Sequence, residues 1–234
     1  MSICFSPVIV ALDFNDISAA KIFLSTLEPS DCRLKVGKEM FTLFGPDWVK
    51  YLVDLGFDVF LDLKFHDIPN TVAKAVEAAS KLGVWMTNVH ASGGGDMMLA
   101  AKEATTKVSN PPLLTAVTIL TSMDERQFSA VYSSTDISEK VITLAKLAQA
   151  SGADGVVCSA MEARFLRREL NQDFCLVAPG IRPMGASNDD QKRIMTPLDA
   201  INAGVNYLVI GRPITQAANP QKVLRAINES LHNH

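Results

Sequence analysis

The sequence of 234 residues contains few cysteines and no paired cysteine motif. Its four cysteines, Cys4, Cys32, Cys158 and Cys175, are widely separated and lie among apolar residues. This pattern is typical of reduced core thiols in a cytosolic protein, and it disfavours both disulfides and a structural zinc site. A chain of this length buries enough surface to fold without such crosslinks.

Long hydrophobic runs and dense basic segments are also missing. No apolar run approaches the ~20 residues that span a bilayer. The apolar amino terminus lacks a basic region and is interrupted by Pro7, so we expect no signal peptide. The formal charge is -3, from 22 basic and 25 acidic residues, which disfavours nucleic acid or a membrane surface as the main partner. We therefore expect a cytoplasmic protein that acts on a small molecule.

No Pro-, Ser- or Gly-rich linker divides the chain, so we expect one domain over residues 1–234. Short apolar runs alternate with longer amphipathic stretches along its whole length. The predicted strands are 8–14, 33–37, 58–65, 85–91, 113–120, 155–160, 175–181 and 207–212. The predicted helices are 18–27, 46–56, 69–83, 95–108, 138–152, 161–170, 197–204 and 220–230.

Eight strand–helix units in 234 residues leave about 29 residues for each unit, which suits a strand, a helix and two short loops. The pattern therefore predicts an α/β fold, a (β/α)8 TIM barrel. An open doubly wound sheet is the alternative architecture. Such a sheet usually has fewer strands, and the turn after the first strand, DFNDIS, lacks the GxGxxG motif that often accompanies it.

Charged residues occupy one face of the first three predicted strands. In the third strand, Asp62 and Lys64 alternate with an apolar face that we expect to contact the helices. The same alternation turns Asp13 and Lys35 towards the inside of the barrel. Because barrel active sites lie at the carboxyl ends of the strands, the four side chains are predicted to meet at one mouth. Two anions and two cations supply the partners that buried charges need.

The carboxylates around Lys64 constrain its chemistry. Asp62 and Asp67 favour the ammonium form of this lysine. A Schiff-base aldolase, which is the competing use of a barrel lysine, needs an amine that loses its proton and attacks a carbonyl. The sequence therefore favours Lys64 as a proton donor that also stabilises a carbanion electrostatically.

Two glycine–arginine motifs follow the last two predicted strands. Gly180 and Arg182 follow the seventh strand, and Gly211 and Arg212 follow the eighth. Barrels often hold phosphate in these two loops, so we expect a phosphorylated substrate. An ordinary turn with a solvated arginine is the alternative for each motif taken alone. The polar segment between the two motifs contains Gln191, a candidate polar contact to the ligand.

Histidines near aspartates raise the question of a metal. His66 stands next to Asp67, but adjacent residues of a strand face opposite ways and make a poor chelating pair. We therefore predict no metal site and no cofactor.

Seven segments occur in an order that resembles a known family. They are ALDF, LKVGKEMF, DLKFHDIPNT, LTAVTILTS, APGIRP, DDQKRIMTP and IGRPIT. Together they cover nearly the whole chain, which resembles orotidine 5′-phosphate decarboxylase of the bacterial single-domain type. DLKFHDIPNT is the most specific of the seven. The resemblance implies a cofactor-independent (β/α)8 barrel that converts orotidine 5′-monophosphate to uridine 5′-monophosphate and CO2, the last step of de novo pyrimidine synthesis.

The resemblance also implies residue roles. Lys64 matches the acid that protonates the ring carbon, and Asp62 matches the aspartate beside the substrate carboxylate. Asp13 and Lys35 match contacts to the ribose hydroxyls, and Lys35 is also expected among the catalytic residues. The catalytic Asp67, with Ile68 and Thr71, matches residues that cross a homodimer interface, so that each active site is shared. The remaining implied contacts are a pyrimidine contact at Thr121, or at Ser122 if the loop shifts by one residue, and a base-and-phosphate grip formed by Arg182, Gln191, Gly211 and Arg212.

Two other functions remain open at this point. A related barrel decarboxylase acts on a sugar-acid phosphate such as 3-keto-gulonate 6-phosphate and uses magnesium. It shares the aspartate-x-lysine-x-x-aspartate core, but the PNT and APGIRP contexts here fit the nucleotide enzyme better. A catalytically silent binder of nucleotide phosphates is the other alternative. The complete set of Asp62, Lys64 and Asp67 argues against it.

Overall fold

The computed structural model describes residues 4–132, 136–183 and 195–232, and its parallel strands close into a barrel. Each strand pairs with the next one along the chain, and β8 pairs with β1. The strands are β1 Val8–Leu12, β2 Arg33–Gly37, β3 Val59–Phe65, β4 Met86–His90, β5 Leu113–Val117, β6 Gly155–Val157, β7 Cys175–Ala178 and β8 Tyr207–Ile210. The predicted (β/α)8 barrel is confirmed, and most strands end earlier than the sequence predicted.

Helices follow the strands around the outside of the barrel. They are α1 Ile17–Leu24, α2 Lys38–Asp54, α3 Pro69–Lys81, α4 Gly95–Thr105, α5 Glu125–Tyr132, α6 Ile137–Ala150, α7 Ala163–Glu169, α8 Pro197–Asn202, α9 Arg212–Thr215 and α10 Pro220–His232. The prediction of eight helices was too low, because α5 and α9 were missed in the loops after β5 and β8. No helix in the part of the chain described here is long and apolar enough to cross a membrane.

Local sequence signals fix several helix starts. Asp16 caps α1 by accepting hydrogen bonds from the backbone N–H groups of Ser18 and Ala19. Proline occupies the first turn of α3 and of α8, where its missing N–H costs nothing. The start of α2 was predicted too late, because Gly45, with φ of 67°, interrupts a helical segment that already begins at Lys38.

The apolar residues form two separate layers, as the strand alternation requires. The larger layer lies between the strands and the helices and includes the outward residues Val8, Val10, Val59 and Leu61. The smaller layer fills the barrel with the inward residues Ile9, Ala11, Phe60, Met86, Val117, Val157, Val177 and Val209. Strand β2 contributes no residue to this inner layer. Its inward residues are instead Arg33 at the amino-terminal end of the barrel and Lys35 at the carboxyl-terminal end.

Arg33 closes the amino-terminal end of the barrel. Its guanidinium carbon lies 4.5 Å from the ring centroid of Trp85 and 5.2 Å from that of Tyr207. The guanidinium donates hydrogen bonds to the backbone carbonyls of Ser6 and Cys4. Its Nε lies 3.2 Å from Asp58 Oδ2, an ion pair that lacks hydrogen-bond geometry. Arg33 thus lies at the end of the barrel opposite the carboxyl-terminal mouth, where the predicted site lies.

Candidate active site

Strands β1, β2 and β3 bring four charged side chains together at the carboxyl-terminal mouth. Lys64 Nζ lies 2.5 Å from Asp62 Oδ1, and Lys35 Nζ lies 3.4 Å from Asp62 Oδ2. Lys35 Nζ is also 3.9 Å from Asp13 Oδ1. The side chains of Lys35 and Asp62 are each 12% exposed, whereas that of Asp13 is 62% exposed. The structure therefore confirms the predicted alternating array and places Asp62 at its centre, between two cations.

The backbone of Lys64 is unusual. Its φ of 55° lies in the left-handed region of backbone conformation, which residues other than glycine, asparagine and aspartate rarely adopt. The register between β3 and β4 shifts between Leu61 and Phe65, so extra residues of β3 bulge out of the ladder there. Strained conformations of this kind cluster at functional sites. The regular alternation of side chains along β3 is therefore interrupted at Lys64, the lysine that the sequence predicts to be the proton donor.

Asn88 of β4 was missed by the sequence reasoning. It is fully buried, accepts a hydrogen bond from the Lys64 backbone N–H at 2.8 Å, and donates one to Asp62 Oδ1 at 2.7 Å. A signal for it was available, because the alternation of β4 places Met86, Asn88 and His90 on the inner face. An amide on that face between apolar neighbours needs partners.

The environment of Asp62 keeps its carboxylate ionised. Burial alone would raise the pKa of Asp62, but the charges of Lys35 and Lys64 and the hydrogen bonds from Lys64 and Asn88 outweigh burial. The pKa of Asp62 is therefore below its ordinary value. At neutral pH the mouth holds a fixed negative charge directly beside a lysine ammonium group.

A cavity of about 240 Å³ connects this charged array to the loops after β7 and β8. Its lining consists of Ala11, Asp13, Lys35, Asp62, Pro179, Gly180, Arg182, Val209, Gly211 and Arg212. Gly180 has φ of 77°, a turn conformation that glycine adopts at little cost. Arg182 is buried, with only 7% of its surface exposed. The cavity lining thus combines the carboxylates of Asp13 and Asp62, the ammonium group of Lys35 and two arginines, which suits a ligand with an anionic end.

Five other predicted site residues in the described part of the chain do not line this cavity: Lys64, Asp67, Ile68, Thr71 and Thr121. Asp67, Ile68 and Thr71 are exposed, and the Asp67 carboxylate accepts a hydrogen bond from the backbone N–H of Ile68 at 2.7 Å. Thr121 is half-buried in the loop between β5 and α5. Gln191 lies outside the described residues.

His66 and His90 form a pair at the edge of the mouth, with ring centroids 5.6 Å apart. Burial, together with the neighbouring His66, Lys64 and Lys38 and against the opposing effect of Asp62, lowers the pKa of His90 to about 4. His90 is therefore neutral at neutral pH. Strand β3 ends at Phe65, so His66 and Asp67 belong to the following loop rather than to the strand from which their orientations were argued. Among the residues the structure describes, no group of three or more His, Cys, Asp or Glu is arranged to hold a metal ion.

Comparison with known proteins gives consistent matches over nearly the whole chain. Residues 6–227 match the family model described as "Orotidine 5'-phosphate decarboxylase / HUMPS family". The orotidine 5'-phosphate decarboxylase of Pseudoalteromonas translucida (strain TAC 125) is 62% identical over 225 residues, 96% of each chain. That of Vibrio campbellii is 58% identical over 96% of this chain and 97% of its own. The crystal structure of the Lactobacillus acidophilus enzyme of the same name superposes with a TM-score of 0.87 at 40% identity, covering 96% of this chain and 98% of the other.

Proposed function

The chain belongs to the orotidine 5′-phosphate decarboxylase / HUMPS family, and we propose how the residues of its mouth carry out the decarboxylation. The reaction removes CO2 from orotidine 5′-monophosphate and gives uridine 5′-monophosphate, the last step of UMP biosynthesis. One observation carries the assignment of the site. Asp13, Lys35 and Asp62 line the same cavity as the two arginine loops, and Asp62 holds the Lys64 ammonium group 2.5 Å away.

Lys64 is the proton donor in this proposal. Loss of CO2 leaves an electron pair on a ring carbon with no adjacent π system to accept it, so the enzyme must supply positive charge and a proton there. The Lys64 ammonium, held 2.5 Å from Asp62, supplies both. The C–CO2 bond breaks, the electron pair remains on carbon, and an N–H bond of Lys64 breaks as the new C–H bond forms. The neutral amine regains its proton from solvent after product release.

Asp62 lies beside the substrate carboxylate in this arrangement. Its ionised state, favoured by Lys35, Lys64 and Asn88, places a negative charge where the substrate carries another. Departure of neutral CO2 relieves that contact, and the same Asp62 oxygen holds the Lys64 ammonium group in place. Asp62 thus positions the acid and disfavours the bound carboxylate relative to the transition state.

The remaining cavity residues bind the parts of the nucleotide that do not react. Asp13 and Lys35 bind the ribose hydroxyls, and their 3.9 Å separation supports a paired contact to a diol. Arg182, Gly211 and Arg212 bind the phosphate, which is supported by their place in the cavity lining, in the loops after β7 and β8. Thr121 contacts the pyrimidine, and Gln191 contributes to the base-and-phosphate grip. Binding energy from the phosphate then orients the ring against Lys64.

A second copy of the chain completes each site. Asp67, Ile68 and Thr71 are exposed, and Ile68 leaves 65% of its surface open to solvent, so all three are available to a partner. We assign them to a homodimer contact at which Asp67 of each chain enters the active site of its partner.

The proposal includes the extent of the domain and the location of the enzyme. Residues 1–234 form one catalytic barrel domain, and the enzyme acts in the cytoplasm.

The shared site is tested by mixing two inactive variants. Lys64→Ala and Asp67→Ala homodimers are each expected to be inactive, but hybrid dimers contain one site with both residues intact. Mild dissociation and reassociation of the mixture should restore activity to about a quarter of wild type. Absence of any recovery in verified hybrid dimers would contradict the shared site and would leave the single-chain chemistry untouched.

The reaction is tested by following the ultraviolet absorbance of orotidine 5′-monophosphate as it is converted to uridine 5′-monophosphate. We expect turnover by the purified enzyme, and turnover that persists in EDTA. Persistence in EDTA separates this reaction from that of the magnesium-using sugar-acid phosphate decarboxylase. Binding of the nucleotide without turnover would overturn the proposal and favour a silent binder.

A further inference from the structure

Asn88 is a buried polar residue whose one part in the reaction described above is to favour the ionised form of Asp62. It stands on the inner face of β4, and none of its surface is exposed to solvent. Its register partner on β5 is Thr115, and it lies two residues before His90, the last residue of β4. A buried side-chain amide costs free energy unless its donors and acceptor are satisfied, so its hydrogen bonds show what holds it there.

The amide of Asn88 closes a ring of hydrogen bonds with Asp62 and Lys64. Its Oδ1 accepts from the Lys64 backbone N–H at 2.8 Å, and its Nδ2 donates to Asp62 Oδ1 at 2.7 Å. The same Asp62 oxygen accepts from Lys64 Nζ at 2.5 Å. The Lys64 backbone N–H can only donate, and the ionised Asp62 carboxylate can only accept. Only this orientation of the Asn88 amide, with Oδ1 towards Lys64 and Nδ2 towards Asp62, therefore satisfies both.

The ring holds Lys64 at both ends of the residue. At the backbone end, the β3 bulge removes Lys64 from the regular ladder, and Asn88 Oδ1 replaces the missing carbonyl acceptor. At the side-chain end, Asn88 fixes the carboxylate oxygen to which the ammonium is bound. Without the amide, the left-handed backbone of Lys64, with φ of 55°, would lose the bond that offsets its strain.

We propose that Asn88 is a positioning residue for the decarboxylation, acting through Lys64 and Asp62 without touching the substrate. It fixes the strained backbone of the proton donor and the orientation of the carboxylate that carries its ammonium group. This inference rests on the proposed function, because its effect is on the step that Lys64 performs.

The test replaces Asn88 by Ala and by Asp. Asn88→Ala removes both hydrogen bonds. Asn88→Asp is nearly isosteric and keeps an acceptor for the Lys64 N–H, but it places a second carboxylate against Asp62. Misplacement of a reacting group by about 1 Å costs roughly 10²-fold in rate. We therefore expect kcat for orotidine 5′-monophosphate to fall by about 10²-fold in each variant, with the Kd of uridine 5′-monophosphate within about threefold of wild type.

Thr87→Val is the matched control. Thr87 is the preceding residue of β4, is equally buried, and donates its own hydrogen bond to β3 at Leu61 O, 3.2 Å away, on the outer side of the strand. Its removal weakens the β3–β4 contact without touching Asp62 or Lys64. We expect its kcat to stay close to wild type, even where its Tm falls as much as that of the Asn88 variants.

Three results would overturn the inference. They are a kcat near wild type in Asn88→Asp, a loss of uridine 5′-monophosphate affinity in proportion to the loss of kcat, and an equal loss of kcat in Thr87→Val. If Asn88→Ala does not fold, the isosteric Asn88→Asp variant decides the question. Wild-type enzyme without turnover would instead contradict the proposed function itself, so the two failures are distinguishable.

Discussion

Replacing Arg33 should lower the stability of the protein while leaving its chemistry intact. Arg33 lies at the closed end of the barrel, where its charged guanidinium donates hydrogen bonds to two backbone carbonyls and lies against the rings of Trp85 and Tyr207. Arg33→Ala removes all of these contacts at once. It also loosens the amino-terminal segment that carries Cys4 and Ser6, which then keeps only contacts such as the Ser6 Oγ hydrogen bond to Asn228 Oδ1 at 2.7 Å.

The size of the effect follows from these contacts. Hydrogen bonds to charged groups contribute about 1.5–3 kcal/mol each, and a cation over an aromatic ring contributes about 0.5–2 kcal/mol. The freed carbonyls regain water when the segment moves, so we expect a loss of about 3–5 kcal/mol in the free energy of unfolding. For a chain of this size that corresponds to a fall in Tm of roughly 10 °C.

Urea denaturation followed by circular dichroism measures the stability, and the orotidine 5′-monophosphate assay measures kcat. Arg33→Lys keeps the charge and loses the planar fork, so its stability should fall between those of wild type and Arg33→Ala. We expect kcat of both variants within about twofold of wild type, because Lys35 is held independently at the other end by Asp62 and the β2 ladder. A loss below about 1 kcal/mol in Arg33→Ala would refute the assigned role of Arg33. A large fall in kcat with an unchanged free energy of unfolding would contradict the claim that the amino-terminal end of the barrel does not affect catalysis at the carboxyl-terminal end.

Two further predictions concern packing and pH. A Cβ on Gly155 would clash with the Cys175 backbone oxygen, so Gly155→Ala should lower the free energy of unfolding by about 1–3 kcal/mol in urea denaturation. Gly95→Ala, whose Cβ would meet Ser151 Oγ at 3.5 Å, is the control, and an equal effect there would contradict the clash. His90 has its pKa lowered to about 4, so between pH 6.5 and 4 the unfolded chain binds the proton that the folded chain excludes, and stability falls as the pH falls. His90→Gln should lose less stability than wild type between pH 7 and pH 4, and parallel pH profiles would count against a neutral His90.

The strand pattern of the sequence predicted the part of the site that depends on alternation alone. Lys35 and Asp62 face inwards because side chains alternate along β2 and β3, and the two layers of apolar residues follow from the same rule. Lys64 contacts Asp62 as predicted, but its position depends on more than alternation. The β3 bulge and the positive φ of Lys64 depend on pairing with β4, which no local sequence pattern encodes.

Residues that act through long-range contacts were harder to find. Asn88 and Arg33 lie on inner strand faces, but their importance comes from partners on other strands or at the amino terminus. Asp67 is exposed in the single chain, and the role proposed for it involves a second chain, which spacing along one sequence does not define. The short helix α9 was missed because its four residues are too few to show a helical period.

Turnover by Lys64→Ala is the most direct test of the central claim. The variant and wild type are compared in the orotidine 5′-monophosphate assay, with uridine 5′-monophosphate binding measured on the same preparations. Lys146→Ala, which removes an exposed lysine paired with Glu169 at 2.5 Å, controls for the loss of a lysine. We predict that Lys64→Ala loses at least about 10⁴-fold in kcat and still binds the product, while the control keeps wild-type turnover. Turnover by Lys64→Ala within tenfold of wild type would contradict the assignment of Lys64 as the proton donor.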